Sequence, residues 1–253
     1  MGTERPFYGL QSPHPVDLGE QYTSIEEMAA RYVEALVSVQ PEGPYLLGGF
    51  SFGSVVAFEV SQQLQASRRE VALLALIDGT SPLIMQQGAE QTDVAMLAGL
   101  ARDLARTAGV ELALPHEELA RLESVAALNL ILDRLKSVNL IAPDIEMTWI
   151  RRLIQGSRSR TSAVRNYRPS VYPGVITLLR SSEVEAESAK AWREIGVDVR
   201  DGARGWDELS ARPVEIHYIS GHHATMLQEP HVRQLAAQLG ACLDRAQHIG
   251  RHV

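Results

Sequence analysis

The stretch Pro44–Val60, PYLLGGFSFGSVVAFEV, limits the fold more than any other part of the chain. A short apolar run bounded by proline and glycine reads as a buried strand. It passes through a cluster of glycines holding one serine and leaves with helical composition. Glycine loses more backbone entropy on ordering than any other residue, so such a cluster marks a turn that needs it. A buried strand feeding a helix through a tight turn is the repeating unit of a parallel sheet covered by helices.

The rest of the chain repeats that alternation. Ser24 with Glu27 forms a capping-box pattern, and Ile25, Met28, Ala29, Tyr32 and Leu36 follow at helical spacing, which predicts a helix to about Val39. YLLGG predicts a strand and Phe52 to Ala66 a helix; VALLALI (Val71 to Ile77), VITLLR (Val175 to Arg180) and VEIHYI (Val214 to Ile219) are further strands. Near the C-terminal end Val232, Leu235, Ala236, Leu239 and Leu243 fall on one helical face. The expectation is a single α/β domain over residues 1–253, a mostly parallel sheet with helices on both faces.

Between Pro82 and Pro169 no strand pattern occurs. Three amphipathic segments (about Asp93–Ala108, Glu117–Lys136 and Glu146–Tyr167) predict an all-helical insertion over about 83–168. Placed after a sheet strand, at the edge where α/β folds bind ligands, it reads either as scaffold or as a lid.

Composition excludes several classes. The net charge of -7 argues against bulk attraction to nucleic acid or an anionic membrane. Cys242 is the only cysteine, so neither a disulfide framework nor a cysteine-based metal site is expected, and no cofactor or metal motif is present. The first residues have neither a basic region followed by an apolar core nor a long apolar span, which predicts a cytoplasmic protein with no membrane association.

Gly49-Phe50-Ser51-Phe52-Gly53 is G-x-S-x-G between strand and helix, the context of a nucleophile elbow. The elbow presents the Ser51 hydroxyl, and the helix start, with the backbone N–H of Phe52 as donor, favours a developing oxyanion. A serine hydroxyl needs a base, and the base needs an orienting acid. Asp78 ends VALLALI, and His222 and His223 follow VEIHYI. The order Ser, acid, His is that of the α/β-hydrolases.

The segments FYGLQ, SIEEMAARYVEAL, PEGPYLLGGFSFG, LLALIDGTSP, NYRPSVYPGVITLLRSSE and SGHHATMLQEPHV together resemble the thioesterase domains that end modular polyketide synthases and nonribosomal peptide synthetases. The resemblance spans nearly the whole chain. It implies Ser51 as nucleophile, Asp78 as acid and, from the G-x-H-x-x-M-L pattern at Gly221 to Leu227, His223 as base with His222 as the variable residue. Stand-alone editing thioesterases of the same superfamily usually carry the acid later, where Glu183 and Glu185 are the candidates here; IDGTSP fits the terminal-domain pattern better. The implied reaction releases an acyl or peptidyl chain from the phosphopantetheine thioester of a carrier protein, by hydrolysis or macrocyclisation, and the implied partner is that acyl or peptidyl carrier protein.

One departure is expected to matter. The family normally begins with further N-terminal strands and an HPAGG-like loop that supplies a second oxyanion donor, and nothing in this sequence resembles it. The alternative reading is therefore an N-terminally truncated module, weakly active or binding a carrier protein without turnover. Arg151, Arg158 and Arg165 recur every seven residues, with Arg152, Arg160 and Arg168 nearby, and on an unbroken helix drift about 20° per step. They read as a solvated face or a dock for an acidic carrier, with Gly156 as a potential interruption. Trp206 reads as a loop anchor and Asp207 as a cap.

Overall fold

Alternation along the strands sets the layers, because successive side chains of a strand point to opposite faces. In the computed structural model, which describes residues 6–11, 24–88, 91–185, 189–190, 192–193, 198 and 201–249, the elements run as follows. Helix α1 (Ile25–Val39) leads to β1 (Tyr45–Phe50), α2 (Phe52–Ala66) and β2 (Val71–Ile77). Then come α3 (Pro82–Met85), α4 (Asp93–Ala108), α5 (His116–Ala120), α6 (Ser124–Ser137) and α7 (Met147–Asn166). The chain returns through β3 (Ile176–Ser181), a 3₁₀ turn (Asp207–Leu209), β4 (Glu215–Ile219) and α8 (His231–Ile249).

The described strands form one sheet in the order β1-β2-β3-β4, every neighbouring pair parallel. On one face Leu74, Leu76, Ile176 and Leu178 pack with Val55, Phe58 and Leu64 of α2 and with Ile25, Met28 and Ala29 of α1. On the other, Leu73, Ala75, Leu179 and Ile219 pack with Leu235, Cys242, Leu243 and Ala246 of α8. Helices on both faces are thus dictated by apolar residues at both parities of β2 and β3. The chain has an α/β fold with a mostly parallel sheet.

Local signals explain the element ends. Ser24 Oγ accepts from Glu27 N–H at 3.0 Å, capping α1. The apolar face of α8 is centred on Leu235, Leu239, Cys242, Leu243 and Ala246, with Val232 and Ala236 only half-buried at its margin. Burial pushes the Cys242 thiol pKa up.

The described residues fall into two compact units, one within 6–11, 24–88 and 162–249, the other within 91–161. The second unit is helical and has its own core, with Leu97, Ala101, Leu119, Leu128, Ile131, Leu135, Ile150 and Ile154 buried. The amphipathic segment expected over Glu117–Lys136 forms two helices, α5 and α6. The buried positions of the two pieces do not share one stripe: Leu119 is buried, Leu122 and Val125 are exposed, and burial resumes at Ala127 and Leu128. The break lets each piece aim its own apolar residues inward. Gly156 does not interrupt α7, which is continuous.

Leu76 is fully buried in the sheet. Leu76→Ala should lower the unfolding free energy by about 2–5 kcal/mol, whereas Val125→Ala, on an exposed position of α6, should change it by less than about 0.5 kcal/mol. Urea titrations of both variants check the pair.

Candidate active site

The turn after β1 confines its serine in a costly backbone conformation. Ser51 has φ 55° and ψ -124°, outside the regions an L residue ordinarily occupies. Such strain costs about 1–3 kcal/mol and persists only where neighbours over-determine it. Here Ser51 N–H donates to Ile77 O at 3.0 Å, Ser51 O accepts from Ser54 N–H at 2.9 Å, and Ser54 Oγ donates to Gly49 O at 2.8 Å. A Cβ on Gly49 would lie 2.1 Å from Gly53 O, so this glycine is obligatory. At Gly53 an added Cβ would meet nothing within 4 Å, so crowding is relieved at one of the two glycines rather than at both.

Ser51 occupies the N-cap position of α2, where a serine side chain normally bonds the helix start, yet it makes no capping bond. Its Oγ instead lies 3.1 Å from His223 Nε2. Phe52 is the first residue of α2, where N–H groups lack an intrahelical acceptor.

Asp78 follows β2 at φ 49°. Its N–H donates to Leu179 O at 2.8 Å, and its Oδ1 accepts from Ser181 N–H at 2.7 Å, so both ends of the residue are tied to β3. Gly79 lets this turn close on α2, since a Cβ there would sit 2.3 Å from Ser54 Oγ. Asp78 Oδ2 accepts from His223 Nδ1 at 2.6 Å, and Arg204 Nη1 approaches Oδ1 at 2.9 Å. Burial alone would raise the Asp78 pKa, but the His223 hydrogen bond, the Arg204 charge and the Ser181 contacts outweigh it and hold the carboxyl well below the usual carboxylate range.

His223 stands on the turn after β4. Gly221 at φ 84° starts it, His222 N–H donates to Thr225 Oγ1 at 3.1 Å, and fully buried Met226 pins the turn into the core. The Phe50 ring stacks on the imidazole with centroids 4.8 Å apart and planes at 14°. The side chain is 42% exposed, so the ring is open on one side, while Asp78, fully buried, holds it from behind.

The structure thus brings Ser51, His223 and Asp78 into one hydrogen-bonded chain. Glu183 is exposed, and Glu185 Oε1 stands 3.5 Å from Nδ1 of His222, not of His223. Asp207 is exposed at the start of its 3₁₀ turn. Trp206 is fully buried, its Nε1–H donating to Gly79 O at 3.0 Å, an anchor of the acid turn. The Arg204 contact with Asp78 was not legible in the sequence, and neither was the Phe50 stack. Of the arginine series, Arg158 pairs with Asp93 at 2.7 Å and Arg165 Nη2 donates to Gly88 O at 3.2 Å. Among the described residues no cluster of His, Cys, Asp or Glu is arranged to hold a metal ion, and no helix is long and apolar enough to cross a membrane.

Residues 3–243 match the family model described as thioesterase domain. Chondramide synthase of Chondromyces crocatus is 29% identical over 249 residues, covering 96% of this chain and 6% of that protein. A four-domain nonribosomal peptide synthetase, solved bound to AMP and glycine, superposes with a TM-score of 0.74 at 26% identity, over 91% of this chain and 17% of that one. The NocB thioesterase domain, solved as a covalent complex with a fluorophosphonate nocardicin G analogue, gives 0.56 at 23% identity over 94% and 81%, a likeness of fold.

A carboxyl with a lowered folded pKa contributes stability that is present above its unfolded value, here 3.8, and is lost as pH falls toward the folded value. Asp78→Asn should therefore be less stable than the wild type at about pH 6, and the difference should narrow as pH drops below about 4. Parallel stability curves down to about pH 2, measured by denaturant titration, would contradict the assigned pairing.

Proposed function

Because the chain belongs to the thioesterase domain family, we propose that Ser51, His223 and Asp78 are its acyl-transfer machinery and that its substrate is an acyl or peptidyl chain held as a phosphopantetheine thioester on a carrier protein. The observation that carries this reading is the continuous chain from Ser51 Oγ to His223 Nε2 at 3.1 Å and from His223 Nδ1 to Asp78 Oδ2 at 2.6 Å, placed at a strained strand-to-helix turn.

The chemistry follows from those positions. Ser51 Oγ attacks the thioester carbonyl as His223 Nε2 takes its proton. Asp78 holds the Nδ1–H tautomer and stabilises the imidazolium without itself being protonated. The carbonyl oxygen gains charge beside the first turn of α2, where the Phe52 N–H and the helix dipole favour it. The C–S bond then breaks and the thiol leaves with the proton from His223. The ester on Ser51 is opened by water, giving the free acid, or by a hydroxyl or amine of the chain, giving a ring; His223 serves as base and then returns the proton to Ser51. The helical unit is proposed as a lid and the carrier protein as the partner. The synthases to which the chain is similar are far longer than this chain, and a place at the end of such an assembly is part of the proposal.

Incubation with an acyl thioester should give a covalent adduct in the wild type by intact mass and none in Ser51→Ala. An undiminished adduct in that variant refutes the assignment. His223→Ala should abolish acylation, a loss on the order of a thousandfold or more, while His222→Ala should reduce it only mildly, because His222 contributes to the turn rather than to the proton path. Single-turnover acylation rates separate the two histidines, and the reverse ranking would exchange their roles.

A further inference from the structure

The segment between β3 and β4 sends two buried side chains under the acid turn. Asp201 organises it: Oδ1 accepts from Ala203 N–H at 3.0 Å and Oδ2 from Gly205 N–H at 2.9 Å. Arg204, at φ 51°, and Gly205, at φ 75°, make the sharp reversal that this closure needs. Ser81 N–H donates to Arg204 O at 3.1 Å, joining the reversal to the residues that follow Gly79. Arg204 is only 4% exposed. Its Nη1 lies 2.9 Å from Asp78 Oδ1 and 3.1 Å from Asp78 O, its Nη2 donates to Ser181 Oγ at 3.1 Å, and the guanidinium carbon sits 5.1 Å from the Trp192 ring centroid.

A buried positive charge against the acid of a proton relay fixes where that acid points. With Arg204 and the Ser181 N–H both on Oδ1, only Oδ2 is left facing His223, so the carboxylate is prevented from rotating. The charged groups facing this cluster are Arg180 and Asp201 beside Arg204, and His222 with Glu185 beside His223. Arg180 Nη1 donates to Asp201 O, which places a second cation behind the first.

We propose that Arg204 is a positioning residue for the reaction: it fixes the rotamer of Asp78 and so holds Oδ2 on the His223 imidazole. This rests on the reading of Ser51, His223 and Asp78 as the acyl-transfer relay.

The test is kcat and KM for a small acyl thioester, with rates expressed per mole of folded protein as judged by cooperative unfolding. Arg204→Gln should lower kcat by about tenfold or more while KM stays within about twofold. Arg204→Lys keeps the charge but not the fork, so kcat should fall there too. Wild-type kcat in Arg204→Gln, or a raised KM with kcat unchanged, overturns the proposal. Should the Gln variant fail to fold, the Lys variant decides: wild-type kcat there overturns it, and reduced kcat with unchanged KM supports it. Ser51→Ala runs in parallel. Wild-type turnover in that variant rejects the relay itself, whereas an inactive Ser51→Ala with wild-type kcat in Arg204→Gln rejects only the role of Arg204.

Discussion

The Asp78 carboxylate, with no exposed side-chain surface, ties together chain segments that sequence holds far apart. It closes the end of β2, receives the Ser181 N–H from the end of β3, faces His223 from the turn after β4 and meets Arg204 from the segment between those strands. The parallel sheet makes this meeting geometrically natural, because neighbouring strands run the same way and their C-terminal ends lie side by side. Ser51, at the end of β1, joins the same edge through its N–H bond to Ile77 O. The proposed site is the row of strand ends, and the hydrophobic layers on both faces of the sheet hold that row in register.

Burying charges is costly. Taking a carboxylate and a guanidinium out of water costs several kcal/mol per ion, and their attraction offsets this only when the remaining hydrogen-bonding sites are satisfied. Asp78 meets that condition, with both side-chain oxygens and the backbone oxygen engaged; Arg204 meets it at Nη1 and Nη2, while its Nε is buried without a hydrogen-bond partner. Removing one partner would leave a buried charge uncompensated, a loss of about 3–5 kcal/mol. Stability and alignment therefore depend on the same contacts. The strained Ser51 backbone adds to this coupling, since its conformation survives only while Gly49, Ser54 and Ile77 hold it.

The parts legible in the sequence were those whose cause is local. The strand-glycine-serine-helix elbow involves contacts over a few residues, and the strand ends near Asp78 and His223 follow from apolar runs and turn residues. The choice between the two histidines came from the resemblance, in which His223 matches the histidine of G-x-H-x-x-M-L; the residues alone left His222 and His223 open. The Arg204 and Trp206 contacts bridge 126 and 127 residues, and no period or spacing encodes them. Trp206 was recognisable as an anchor, but not what it anchors. The break between α5 and α6 was hidden for a related reason: Leu119, Leu122 and Val125 look like one apolar series until the core decides which of them it takes.

All of these elements converge on the protonation state of one imidazole. If Asp78 orients it as described, neutral His223 carries its proton on Nδ1 and leaves Nε2 free to accept from Ser51. Nitrogen-15 NMR of the histidine side chains, with His223 assigned by its loss in a His223→Gln variant, reads that tautomer directly. The account predicts a protonated Nδ1 and an unprotonated, pyridine-like Nε2 above the pH at which the ring ionises. A neutral ring protonated on Nε2 would contradict it, because no base would then face the serine.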